Sequence, residues 1–233
     1  MSPFGRPVTT VEELRGFVEE PHPHMKYKII PVIDEETGRF LSASTYFLLA
    51  TVGSDGRVDV SPRGERAGGV RVLDERHLAF GDRPGNRRID SFRNIVERPN
   101  VGMLFLVPGA RETVRVNGRA TIVREAPWLA ELPETGAVLA DDRGKSPMLG
   151  TVVEVEELFL HCGQAPVRGG LWRPGSWPEP EALPSVKELF SSQSAYWDDP
   201  LPGVERRYPA EREVHRPAGC PQAAPVAGRR RGG

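Results

Sequence analysis

Apolar residues along this chain recur mostly every second position, in short runs closed by turn residues, and that period is the signature of strands. "TYFLLATVG" ends at "SDG", a hairpin signal, and "RVDVSPR" follows. Val58 and Val60 alternate with Arg57 and Asp59, as expected for a half-buried strand. "GVRVLDE" and "HLAFG" meet across a second tight turn. "VGMLFLV", "ETVRVNGRATIV" and "TVVEVEELFLH" read as further strands, and "YKIIPVI" is also β-rich. Helical spacing is rarer. Thr10 followed by Glu13 predicts a capped helix over 10–19, with Val11, Leu14 and Val18 on one face. Ile89, Phe92, Ile95 and Val96 predict a second helix over 87–97, with Asn86 as its N-cap and Pro99 as its stop.

About seven or eight hairpin-connected strands with few helices make a mainly β protein. A closed antiparallel barrel is expected, because closure hides the edges of such apolar strands. An immunoglobulin-like sandwich is the alternative, and the helix between "HLAFG" and "VGMLFLV" argues against it. Three segments are expected: an N-terminal helical stretch (1–25), the barrel (26–175) and a Pro/Gly-rich tail (176–233) with little apolar periodicity and partial disorder.

Composition narrows function by exclusion. The formal net charge is −1, so no global pull toward nucleic acid or an anionic membrane is expected and any anion site must be local. The terminal "GRRRGG" reads as a solvated end. The two cysteines, Cys162 and Cys220, form no CxxC pair, and no metal spacing appears. "EEPHPHM" lacks further ligands nearby. "MSPFGRPVTTVEELRGF" lacks a secretory core, and the longest apolar runs are too short to span a bilayer, so a cytoplasmic protein is expected.

One stretch breaks the blandness. "DRPGNRRIDSFRNI" (82–95) crowds Arg83, Arg87 and Arg88 around a Pro-Gly turn. Placed on a first helical turn, Arg87 and Arg88 would oppose the helix dipole at a few tenths of a kcal/mol each (~0.3 or more at exposed sites), and a bound anion would reverse that sign. Arg63, beside Ser61 in "VSPRG", offers a second cationic fork suited to phosphate oxygens. The residues alone leave two readings open, an anion cradle and a solvated loop. Neither GxxxxGK[ST] nor GxGxxG is present, which excludes a P-loop and a Rossmann fingerprint.

Taken in order, "VDVSPRG", "LAFGDRPGNRRIDSFRNIVERPNVGMLFLVPG", "ETVRVNGRA" and "VVEVEELFLHC" resemble the pyridoxamine 5′-phosphate oxidase-like, FMN-binding split-barrel family, in a branch of uncharacterised bacterial flavoproteins. The likeness covers roughly 40–175. It implies a six-stranded antiparallel split β-barrel, a homodimer, and FMN at the dimer interface. It implies that Arg63, Asn86, Arg87 and Arg88 contact the FMN phosphate, and that Ser61 and the backbone of Val60 approach the ring or ribityl chain. Asp82 and Arg83 would flank the pocket, and Thr113 would reach the ring from the partner subunit. The C-terminal Arg-x-His segment of true pyridoxamine phosphate oxidases is missing, since "EREVHRP" has the wrong spacing. The implied activity is therefore an FMN-dependent oxidoreductase of unknown substrate, serving a small organic molecule or NADH or NADPH. The alternatives are a non-catalytic flavin-binding module and a deazaflavin- or haem-binding member, with His161 as axial ligand in the last case. In "HCGQAPVRGGLW", His161 and Arg168 are candidates for a substrate pocket, and Cys162 reads as a small buried hydrophobe. Trp172 and Trp177 are read as core or interface aromatics.

Overall fold

The computed structural model describes residues 3–83, 85–133 and 147–204, and these divide into two units that meet at Pro174 and Gly175. The first unit is built on one antiparallel sheet of eight strands: β1 (Ile29–Ile30), β2 (Tyr46–Val52), β3 (Val58–Gly64), β4 (Val70–Val72), β5 (His77–Gly81), β6 (Asn100–Leu106), β7 (Thr113–Arg124) and β8 (Leu149–His161). Its order is β3-β2-β6-β7-β8-β5-β4, with β1 on β8. The chain is mainly β, as the alternation predicts.

The sheet curls until its two ends face each other. Phe47 on β2 lies edge-on to Phe80 on β5, with centroids 4.9 Å apart, although three strands separate them in the sheet. Phe105 on β6 closes the trio at 5.0 Å from Phe47. These rings, with Leu49, Leu78, Val114, Val116, Val153 and Val155, fill the interior. The ends β3 and β4 do not pair, so the barrel is split. Ion pairs cross the split in place of a ladder. Arg63 of β3 donates to Asp82 just after β5 (2.9 Å), and Arg83 donates to Glu65 just after β3.

The strands β7 and β8 are the longest pair, and a bulge at Asn117/Gly118 lets them bend. Gly118 sits so close to β8 that a Cβ there would collide with the Glu154 carbonyl. The β2–β3 hairpin turns at Gly56 with φ +80°, the conformation that the "SDG" signal anticipates.

The described residues form five α-helices: in the first unit α1 (Val11–Arg15), α2 (Glu35–Ala43), α3 (Asp90–Glu97) and α4 (Gln164–Arg168), and in the second unit α5 (Val186–Ala195). Several differ from the periodicity. Helix α1 has its Thr10 cap (Glu13 N–H to Oγ1, 3.1 Å) but stops at Gly16, and Val11, Leu14 and Val18 are exposed. The β-rich "YKIIPVI" yields only the two residues of β1, because Pro31 has no N–H to continue a ladder. Helix α2, unpredicted, is capped by Asp34, whose carboxylate accepts from the Thr37 N–H at 2.8 Å and is thereby held below the usual carboxylate range. Within the stretch read as a Pro/Gly-rich, partly disordered tail, α5 has a complete capping box between Ser185 and Glu188 and no buried residue. The rest of the tail, from 205 on, lies outside the described residues.

Candidate functional site

The split is where the barrel's interior becomes polar. Register places Arg63, Ser61 and Asp59 of β3 opposite Phe47, Leu49 and Thr51 of β2, so these polar side chains share the inward face with the core. Val58 and Val60 take the outward face, 66% and 56% exposed. The alternation is as the sequence reads, and the fold decides its sense: the valines are outside and the polar residues inside.

Above this polar face lies a groove of about 840 Å³ bounded by β3, the end of β5 and the β5–α3 connection. It gathers Val60, Ser61, Arg63, Asp82, Arg83, Asn86, Arg87 and Arg88 from two stretches of sequence. Its phenyl walls are Phe47, Phe80 and Phe92.

The β5–α3 connection is not the helix start that its sequence suggests. Helix α3 begins at Asp90, and its N-cap position is Ile89 with φ 54°. Arg87 has φ 61°. Two left-handed residues that are not glycine, one of them β-branched, are costly and tend to persist where a loop's shape is functional. Asn86 caps no helix; its side-chain oxygen accepts from the Arg88 N–H at 3.0 Å, an Asx-type turn. Arg87 and Arg88 therefore precede the helix, and the predicted conflict with the dipole does not arise. The buried face of α3 is Ser91, Asn94 and Ile95, whereas Ile89 and Val96 are exposed. Asn94 donates to Thr51 of β2 at 2.9 Å, which anchors α3 over the sheet.

The arginines differ in their surroundings. Arg63 is largely buried, with Nη1 on Asp82 and its guanidinium 5.8 Å from the centre of the Phe92 ring. Its Nε is fully buried and meets no acceptor. Arg83 donates to both oxygens of Glu65 and to the Pro133 carbonyl, so it fastens β3, the connection and the segment after β7 together. Arg88 donates through Nε to Asp90 at 2.8 Å. Arg87 is exposed and makes no ion pair among the described residues.

Of the site's carboxylates only Asp82 was anticipated; Asp59, Glu65 and Asp90 were not. Asp59, Glu65, Asp82 and Asp90 line the groove beside Arg63, Arg83, Arg87 and Arg88, four acids against four cations. Burial pushes the Asp82 carboxyl above its usual range, and Arg63 only partly offsets this.

Thr113, His161 and Arg168 are not brought to this groove. Thr113 is 7% exposed in β7, in register with His161 of β8. The His161 ring stacks edge-on against Phe159 at 4.8 Å, and burial, then the nearby Arg115, holds its imidazole below the usual range. Arg168 is exposed at the end of α4. Cys162 is exposed, not buried, because it follows the last residue of β8. Trp172 donates its indole N–H to the Ala110 carbonyl at 2.7 Å, a structural tether. Among the described residues no cluster of three metal-ligating side chains exists, and no helix is long and apolar enough to cross a membrane.

The sequence profile of pyridoxamine 5′-phosphate oxidase matches residues 33–162, more than half of the chain and nearly all of the barrel. The chain belongs to that family. Among solved structures, it is similar to a putative pyridoxamine 5′-phosphate oxidase from Lactobacillus delbrueckii (24% identity, 56% of this chain and 95% of that one, TM-score 0.41). It is also similar to HupZ of Group A Streptococcus (20%, 55% and 93%, 0.41) and to an FMN-binding protein from Syntrophomonas wolfei (10%, 54% and 84%, 0.40). No curated protein matches it.

Proposed function

We propose that the groove binds FMN and that the protein is an FMN-dependent oxidoreductase. The observation that carries this reading is the buried Arg63 Nε, which lacks an acceptor inside a groove that also presents Arg87 and Arg88. A buried N–H without a partner costs about 1–3 kcal/mol, and a phosphate oxygen is an acceptor that would remove that cost. The donor set fits a flavin phosphate: planar forks at Arg63 and Arg88, an exposed cation at Arg87, and backbone held open by two left-handed residues. Bound flavin would supply hydride or electron transfer with a small organic substrate or a nicotinamide donor. The chain's own part is to anchor the phosphate, to line the groove with Phe47, Phe80 and Phe92, and to offer the Ser61 hydroxyl along its wall.

The reading extends to a homodimer. On the outward face, register sets Leu48 beside Pro62 and Leu104, and Ala50 beside Val60 and Gly102, a continuous apolar surface over three strands. A second copy seated there would cover the exposed valines of β3, and Thr113 would serve the partner's groove. His161 and Arg168 are proposed to border a substrate pocket outside the phosphate site.

Purified protein should be yellow and release FMN on denaturation. Colourless protein that fails to bind added FMN overturns the proposal. Light scattering should give twice the chain mass, and Leu104→Asp should halve it.

A further inference from the structure

The groove meant for an anion carries as many acids as arginines, and one acid sits on the arginine best placed to hold the anion. We propose that Asp82 is an affinity- and specificity-setting residue, an internal carboxylate that shares Arg63 with the ligand's oxyanion and holds the groove's preference for phosphorylated over unphosphorylated ligands in check. The inference rests on reading the groove as an anion site.

Three observations carry it. The Arg63–Asp82 pair lies within the groove and is the direct bridge from β3 to the end of β5, at 2.9 Å with side chains 19% and 33% exposed. Arg63 spends Nη1 on Asp82, yet its side chain remains 19% exposed to the groove, so its guanidinium can meet a second oxyanion without releasing the first. The remaining acids do not share this role. Glu65 is bound to Arg83 with its side chain 3% exposed, Asp90 is held by Arg88, and Asp59 lies within reach of the Ser91 hydroxyl at 3.4 Å.

The physical consequence is a like-charge contact. A phosphate accepted at Arg63 places a dianion and a carboxylate on one guanidinium, in a partly buried site where solvent screens less than at the surface. The repulsion is absent for a neutral ligand. It falls on the phosphorylated ligand alone, so Asp82 lowers discrimination as well as affinity. The upward push that burial exerts on Asp82 has the same sense, since the groove already disfavours this charge.

The test uses the full-length protein freed of flavin, as wild type and as Asp82→Asn, which keeps an oxygen acceptor for Arg63. Asp82→Ala serves as a second neutral variant should the first fold poorly. Each is titrated with FMN, riboflavin and inorganic phosphate at pH 8 and fixed ionic strength. The expected result is at least threefold tighter FMN and phosphate binding in the variants, with riboflavin unchanged. Equal or weaker phosphate binding overturns the proposal, as does a riboflavin affinity that rises in parallel. Phosphate that tightens while FMN fails to bind any of the proteins upholds the role of Asp82 and overturns the flavin reading. FMN that binds wild type well and the variants no better does the reverse.

Discussion

Strands β2 and β3 are neighbours of equal length, seven residues each, paired along their whole extent, yet they direct opposite chemistry inward. From β2 the interior receives Phe47, Leu49 and Thr51. From β3 it receives Arg63, Ser61 and Asp59. The same period of two therefore builds a core on one strand and a polar wall on the next. What separates them is topology: β2 has a strand on each side, whereas β3 ends the sheet and faces the split. A polar inner face is tolerable only there, where Asp82, α3 and water can meet it.

The contrast is broken most severely at the core. Phe47→Ala should cost about 3–5 kcal/mol in urea unfolding, since its ring is fully buried between Phe80 and Phe105. A loss below about 1 kcal/mol would deny that β2 carries the interior. On β3 the effect should appear in binding instead. Arg63→Ala combined with Arg88→Ala should weaken FMN binding at least ~10-fold, by loss of charge-assisted bonds of roughly 1.5–3 kcal/mol each, as read by fluorescence titration. Unchanged affinity would remove both residues from the site. Thr51 stands between the two regimes, inward and polar on the apolar strand. Asn94→Ala leaves its buried hydroxyl without this donor and should cost about 1–3 kcal/mol by thermal melting.

A smaller effect lies in pH. The folded-state pKa of Asp82 is raised, so its favourable contribution is full below the unfolded value of about 3.9 and is lost as pH climbs through the folded one. Against Asp82→Asn, wild type should therefore lose relative stability as pH rises above about 4, measured in paired urea melts; a relative gain would reverse the assignment of burial as the dominant cause. Smallest of all is the outward face. Val60→Thr should shift the stability of the isolated chain by no more than about 0.5 kcal/mol, which a melt can bound.

Strands were the most legible feature, because alternation and turn residues are local. The register of β2 on β3 follows from the "SDG" turn, and the alternation of β7 and β8 marks two long strands but not the bulge at Asn117/Gly118. Alternation cannot say which parity faces in. For β3 that depends on its lying at the sheet's end, a non-local fact, so the outward facing of its valines was not legible. The site's arginines were visible as a cluster, but the loop's path was not, since Arg87 and Ile89 take left-handed backbone without a glycine to announce it. The acids of the groove come from β3, the end of β5 and the start of α3, and only folding sets them against the arginines. Helix α5 was not anticipated. Ser185 and Glu188 spell a capping box in plain view, and the surrounding prolines masked it.

The split also bears on how the barrel breathes. Side chains alone join β3 to the β5 end, and β3 has a single strand partner for its amides. Hydrogen exchange should therefore run faster along β3 than in β7 and β8, which are flanked on both sides. An opening at that seam widens the groove and leaves the phenylalanine trio packed. For the proposed flavin complex, unlatching these two ion pairs would let the ligand enter and leave without global unfolding.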